Sequence, residues 1–341
     1  MSEFFFSYGL FIAKVVTGLI ALVFVIAIIG GGRKKEDAPQ LKVTNLNNKY
    51  NDLKVSVMQA VMDKKQFKQQ AKAQAKEDKK DKKSAKVEHQ KPKLYVLEFE
   101  GDIRASQVET LRDEITAMLS VAEPQDEVLL KLDNSGGVVH EHGLAASQLQ
   151  RIKDAKLNFT VSVDKVAASG GYMMACVADK IVSAPFAILG SIGVLAQLPN
   201  FNRLLDKAGI DFEQHTAGEY KRTVTMFGKN SDKERKKLAE DLHETHVLFR
   251  EFVEQHRSKL DIDKVSTGEH WYGQQALKLD LVDELITSDD FIINALDTFD
   301  IYELKMEVKK GFQDKLLGGL FSSIKSARAG LADAQNDSKY H

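Results

Sequence analysis

Three regimes of hydrophobic patterning divide the chain. From Leu10 to Ile29 it reads LFIAKVVTGLIALVFVIAII, an apolar run of about twenty residues that, at about 1.5 Å rise each, would just cross a hydrocarbon core of roughly 30 Å. The run predicts a transmembrane helix, with its lone charge, Lys14, near one end where a long stem can snorkel to the interface. It leaves through Gly30, Gly31 and Gly32 into Arg33-Lys34-Lys35 with no A-x-A-like site, so an uncleaved anchor is expected over residues 1–32 rather than a signal peptide. The second regime, 33–92, is polar and lysine-rich. Tyr50, Leu53, Val57 and Val61 fall at helical spacing there and predict a short amphipathic helix lying against the membrane or the main domain. Lys64 to Lys93 loses all apolar rhythm and reads as a solvated spacer.

The third regime alternates strands with helices. Leu94 to Gly101 reads as a strand, and Ser106 with Glu109 as a capping box opening a helix that carries Val108, Leu111, Ile115 and Leu119 on one face. Glu127 to Leu132 is a near-continuous apolar strand, followed by the loop Asp133 to Gly137 and a helix to about Lys153. Leu157 to Val163 is a strand, Tyr172 to Asp179 a helix and Lys180 to Ala184 a strand. Phe201 to Lys207 predicts a short helix, Asp211 to His215 a further strand, and Ser231 with Glu234 caps a long helix to about Arg257. Strands that are apolar on both faces and alternate with helices imply a mainly parallel α/β sheet built from βαβ crossovers. The main domain is expected over 93–290, with a C-terminal extension and flexible tail over 291–341.

Composition narrows the reading. A chain of 341 residues with 43% hydrophobic content supports one main core plus appendages. A formal net charge of -1 gives no reason to expect nucleic acid. The single cysteine, Cys176, excludes an internal disulfide framework and a multi-cysteine zinc site.

The candidate chemistry sits at two glycine-bearing turns, Asn134 to Gly137 and Ser169 to Gly171, each following a strand and opening a helix. Both therefore lie at the carboxyl edge of the sheet, where open α/β folds place their sites. A serine at such a turn projects from the sheet, and backbone N–H groups of Gly170 and of Gly136 or Gly137 could face a developing oxyanion. Phosphate-binding loops are disfavoured, because neither G-x-G-x-x-G nor G-x-x-x-x-G-K-[ST] occurs at these turns. For a base, His140 and His142 follow the first turn but cannot share a helix face. His243 and His246 do share one, in a charged pattern that reads as a solvated helix rather than a metal site. At most one of His140 and His142 could point at Ser169, and Lys221 is the other candidate. A free lysine near pKa 10.4 is almost wholly protonated at neutrality, so burial must neutralise any lysine base.

Ala168-Ser-Gly-Gly-Tyr172, Asn134-Ser-Gly-Gly137, Gly190-Ser-Ile-Gly-Val194 and Gly218-Glu-Tyr-Lys221, in that combination, resemble the signal-peptide-peptidase family of Ser/Lys proteases, and the anchor with its lysine-rich spacer resembles the membrane-anchored members. The resemblance covers about Leu94 to Leu285. It implies a ClpP/crotonase-like spiral of parallel βαβ units. It also implies Ser169 as nucleophile, Lys221 as general base, Gly170 with Gly136 or Gly137 as oxyanion donors, and no metal or organic cofactor. Ring-like homo-oligomers acting on unfolded or membrane-released peptides are implied too, with the catalytic domain on the periplasmic side of a bacterial inner membrane. The positive-inside rule, applied to Arg33, Lys34 and Lys35, favours the cytoplasmic side instead. Two departures stand out: the family's S-P-G-G loop lacks its proline here, and its G-L-V-D reads Asp280-Leu-Val-Asp283. A crotonase-type acyl-CoA enzyme or a catalytically silent scaffold of the same fold are the alternatives.

Overall fold

The computed structural model describes residues 2–30, 39–69 and 91–307; the spacer over 70–90 and the tail over 308–341 lie outside the described residues. The chain divides into two units, Met1–Gln40 with Glu307–His341, and Leu41–Met306. In the first, helix α1 runs over Ser2–Gly30. The expected span Leu10–Ile29 falls within it, but the side chains of positions 20–30 lie outside the described residues, and among the described residues no helix is long and apolar enough to cross a membrane.

The main sheet is mixed α/β with mostly parallel strands. Its strands are β1 (Gln40–Asn45), β2 (Lys93–Gly101), β3 (Glu127–Asn134), β4 (Asn158–Val163), β5 (Val166–Ala168), β6 (Lys180–Ser183), β7 (Ile188–Gly190), β8 (His270–Tyr272), β9 (Glu284–Leu285) and β10 (Asp300–Glu307). They run in the order β1-β10-β2-β3-β4-β6-β9, and β5 branches off to pair with β3 and β7. Pairs from β10 through β2, β3, β4 and β6 to β9 are parallel, and β7 with β8 is antiparallel. This branching is consistent with a ClpP/crotonase-like fold. β10 lies beyond residue 290, so the sheet takes in part of the C-terminal region.

The apolar strands look continuous because they are covered on both faces. Leu97, Phe99, Leu130 and Leu132 point into a large core shared with helices α3 (Val108–Leu119), α4 (Val139–Asp154) and α5 (Gly170–Ala175), while Leu94, Val96 and Leu129 point into a smaller one with Ile292 and Ile301. The predicted amphipathic helix is α2 (Leu46–Val61), and only its start joins that smaller core: Leu46 is buried and Tyr50 half-buried, whereas Leu53, Val57 and Val61 are 57%, 61% and 75% exposed.

Three expectations are corrected. α3 does not open on a capping box at Ser106; its cap is Gln107, whose side chain makes no capping bond. The Ser106 hydroxyl and N–H instead donate to Asp102, 2.9 Å each, so the serine is consumed by a local Asx-type turn. Asp211 to His215 forms no strand, because it meets no sheet edge and Phe212 packs against Phe227 at 5.8 Å instead. The helix after Ser169 spans Gly170–Ala175 rather than Tyr172 to Asp179, because its glycines belong to its first turn. Elsewhere, α6 (Asn202–Lys207) and α7 (Asp232–His256) follow expectation, and α7 has the reciprocal capping box of Ser231 and Glu234.

Candidate active site

The branch in the sheet assembles the site. β3 and β5 pair at Asn134 and Ala167, so the turns that follow both strands emerge side by side. Ser169 adopts φ 52° and ψ −119°, a left-handed conformation that costs a non-glycine residue about 1–3 kcal/mol. It is held there because its N–H donates to the Gly190 carbonyl at 2.8 Å and its carbonyl accepts the Met173 N–H at 3.0 Å. Behind it, the buried Tyr172 hydroxyl donates to the Leu281 carbonyl at 2.9 Å. That carbonyl belongs to the Asp280 to Asp283 turn. There Asp280 takes φ 60° where the resemblance has glycine, and Arg257 donates two bonds of 2.9 Å to Asp283. Burial alone would raise the Asp283 pKa, but the guanidinium holds it below its ordinary value.

The first turn closes on the second. Gly136 has φ +85°, and a Cβ there would stand 2.6 Å from the Ala168 carbonyl oxygen, 2.7 Å from Ser169 Cβ and 2.8 Å from the Gly170 nitrogen. Only glycine permits this approach. The turn lacks proline but is restrained by Asn134, whose Oδ1 accepts the Gly136 N–H at 2.5 Å. That bond occupies the Gly136 donor. Among the described residues the Gly137 N–H has no partner, and Gly170 heads α5, where an N–H has no intrahelical acceptor.

Ser169 is half-buried on the wall of a cavity of about 1020 Å³, together with Gly136, Gly137, Ile103, Leu195 and His246. Cys176 is no rival nucleophile, since burial pushes its thiol pKa up and disfavours the thiolate. Among the described residues no group of three or more His, Cys, Asp or Glu side chains is placed to hold a metal ion.

Lys221 lies elsewhere. It is exposed and lines a second cavity of about 820 Å³ with Leu198, Phe212 and Met226, which shares no lining residue with the first. It sits on an arm over residues 194–230 that is held by its own side chains. The Phe201 N–H donates to the Met226 carbonyl at 2.7 Å, Asn200 Nδ2 donates to the carbonyls of Thr225 and Gly228 at 2.9 and 3.1 Å, and Phe201 stacks on Phe227 at 6.0 Å. The fold thus brings Ser169, Gly170, Gly136 and Gly137 together and leaves Lys221 apart.

Sequence reasoning passed over two residues. His243 and His246 of α7, read as part of a solvated helix, both line the serine cavity, and His246 Nε2 is buried without a partner among the described residues. Their shared face was legible; which way α7 turns it was not.

A strained serine beside open backbone donors in a sizeable cavity is an arrangement that a nucleophilic hydrolase requires, and comparison with known proteins gives the class. The description "Peptidase family S49 N-terminal" matches residues 3–149 and "Peptidase family S49" residues 151–300. A protein from Buchnera aphidicola (subsp. Acyrthosiphon pisum), named "Probable protease SohB", is 48% identical over 93% of this chain and 94% of its own length. One of the same name from Haemophilus influenzae is 47% identical over 92% of each. A solved structure of an alanine variant of the "1510-N membrane-bound stomatin-specific protease" is 15% identical over 60% of this chain and 85% of its own, with a TM-score of 0.40, a likeness too slight to carry an argument. The chain belongs to peptidase family S49, the signal-peptide-peptidase-like family, and is a serine-type peptidase. That membership sets aside the acyl-CoA enzyme.

Proposed function

We propose that this peptidase is a membrane-anchored endopeptidase that cleaves unfolded or membrane-released peptides through Ser169 and Lys221. The observation that carries the reading is the strained Ser169 turn in contact with the Gly136 turn at the wall of a large cavity. In attack, the Lys221 amine takes the Ser169 hydroxyl proton as Oγ bonds to the peptide carbonyl carbon. The resulting oxyanion is met by the Gly170 and Gly137 N–H groups. Collapse breaks the C–N bond, and the proton passes from Lys221 to the leaving amine. A water, deprotonated by the neutral Lys221 amine, then attacks the acyl carbon, and Lys221 returns the proton to Ser169 Oγ as the acyl bond breaks.

Lys221 reaches the serine from a neighbouring copy in this reading. Its exposure in the single chain, and its separate cavity, support that arrangement. So do the exposed apolar side chains around it on the arm, Leu204, Ile210, Phe212 and Phe227. A second copy packed there would bury both the apolar surface and the amine, and burial favours the neutral form a base requires. A ring of such copies fits.

The apolar run Leu10–Ile29 supplies the anchor, and we take the catalytic unit to face the periplasm, against the count of Arg33, Lys34 and Lys35. Digestion of the carboxyl terminus in intact spheroplasts supports that side, and full protection overturns it. The chemistry is tested by titrating the assembled protein with a serine-directed phosphonate. One adduct on Ser169 with parallel loss of peptide hydrolysis is expected, and hydrolysis that survives complete labelling overturns the assignment and favours a silent scaffold.

A further inference from the structure

We infer that His142 is a positioning residue of the serine site, one that locks the two glycine turns to each other through Asn134. The inference rests on Ser169 being the nucleophile. His142 lies in the first turn of α4 and is fully buried, as is Asn134 to within 1%. Burying an imidazole and a carboxamide is costly unless their polar atoms are used, and here most are.

The lock has three contacts. His142 Nε2 stands 3.1 Å from Asn134 Oδ1, and Nδ1 stands 2.9 Å from the Val138 carbonyl oxygen. Asn134 Oδ1 also accepts the Gly136 N–H at 2.5 Å, so this atom is the amide oxygen; both ring nitrogens of His142 then face oxygens, a neutral ring has one N–H to donate, and the tautomer that carries it on Nε2 makes the bond to Asn134. One oxygen therefore ties α4 to the turn that carries Gly136 and Gly137. The third contact is steric. A Cβ on Gly170 would fall on the His142 side chain, so that side chain is packed against the backbone whose N–H is a proposed oxyanion donor. Asn134 closes the circuit from the other side, since a Cβ on Gly171 would fall on its carbonyl oxygen.

His142 does not line the serine cavity, and it acts through the backbone it holds. Asn134 Oδ1 engages the Gly136 N–H and so leaves Gly137 as the open donor of that turn. The ring sets how close Gly170 comes to it. The spacing of the two donors is what an oxyanion reads, and removing one such donor from a hydrolase site typically costs about 10²–10³ in kcat. A displacement of about an ångström costs about 10²-fold.

The test uses the full-length assembled protein with a peptide substrate and a serine-directed phosphonate. His142→Phe keeps the ring volume and removes the hydrogen bonds. We expect kcat to fall about 10–100-fold, KM to stay within about twofold and phosphonate labelling to slow in parallel. His142→Gln, which keeps a donor for Asn134 Oδ1, should recover most of the loss. Asn134→Ala should lose as much as His142→Phe, and the double variant no more than either, because both break one lock. Full kcat in folded His142→Phe, a loss confined to KM, or additive losses in the double variant each overturn the inference. If His142→Phe does not fold, the Gln variant and Asn134→Ala decide on the same criteria. Activity retained by Ser169→Ala would instead overturn the nucleophile assignment, whereas an inactive Ser169→Ala beside an unimpaired His142→Phe removes the lock alone.

Discussion

The turn carrying Ser169 is enclosed by buried residues on both sides, from Ala167 and Ala168 to Tyr172 and Met173, whereas the arm over 194–230 that carries Lys221 is exposed along most of its length. The first region is strained and still single-valued, because β5, β7, α4 and α5 leave it no alternative. The second is held by a few hydrogen bonds and three aromatic rings of its own and keeps its large apolar side chains in water. One half of the proposed dyad is therefore preorganised within a chain. The other half is placed on an exposed arm, which in the proposed arrangement a further copy covers.

The largest expected effect lies on the preorganised side. Ser169→Ala should lower peptide hydrolysis by at least about 10⁴-fold, with the thermal transition and oligomer size unchanged, since it removes one oxygen from a half-buried position. Turnover above a trace in the purified variant would break the comparison at its root.

Lys221→Arg should cost about 10²–10⁴-fold, because a guanidinium does not release its proton near neutrality. The arm and the serine turn can then be separated by mixing. Ser169→Ala and Lys221→Ala chains, each inactive alone, should recover about a quarter of wild-type activity when co-assembled at random, since a shared site is intact with probability of about one half times one half. Verified hetero-oligomers that recover nothing would return the lysine to its own chain.

A smaller effect is expected at α7. If His246 Nε2 meets a polar group of the bound peptide, His246→Phe should lower kcat/KM about 2–10-fold, the range of one hydrogen bond, and leave the rate of phosphonate labelling unchanged. An equal slowing of labelling would assign His246 to the serine itself.

The smallest effect sharpens the contrast in stability. Glu114 of α3 is buried and accepts the Met306 N–H at 2.7 Å, and burial pushes its pKa up from 4.5 to about 7. The folded state therefore binds this proton more tightly than the unfolded state, so stability falls as pH rises from 4.5 to about 7 and levels off above. Glu114→Gln should flatten that fall by up to about 3 kcal/mol. Amide exchange at the Ser169 turn should follow the change, because that turn opens only with the whole fold, while exchange along 194–230 should not respond. Equal responses would mean that the arm is part of the same cooperative unit.

Much of the serine half was legible in the chain. Apolar runs at 94–101, 127–132 and 157–163 gave strands covered on both faces, and the pairs Gly136–Gly137 and Gly170–Gly171 located the turns, while the short strand β5 directly before Ser169 was not foreseen. The errors fell where a local signal had a second use. Ser106 has the spacing of a capping box, but Asp102 takes both its hydroxyl and its N–H in a local turn before the helix begins. Asp211 to His215 reads as a strand, yet it meets no sheet edge and Phe212 packs on Phe227 instead. His142 looked like one of two histidines beside a turn, and only its burial against Gly170 gives it a task.

Sequence by itself determined most of the element types and the position of both glycine turns at the carboxyl edge of a parallel sheet, because these depend on short-range periodicity and on residues that few conformations tolerate. Tertiary structure decided which N–H of the Gly136–Gly137 pair stays free, which face α7 turns toward the serine and how far Lys221 stands from it. Each of these depends on the relative placement of elements far apart in the chain, set by packing around β3 and β5 rather than by any local run of residues.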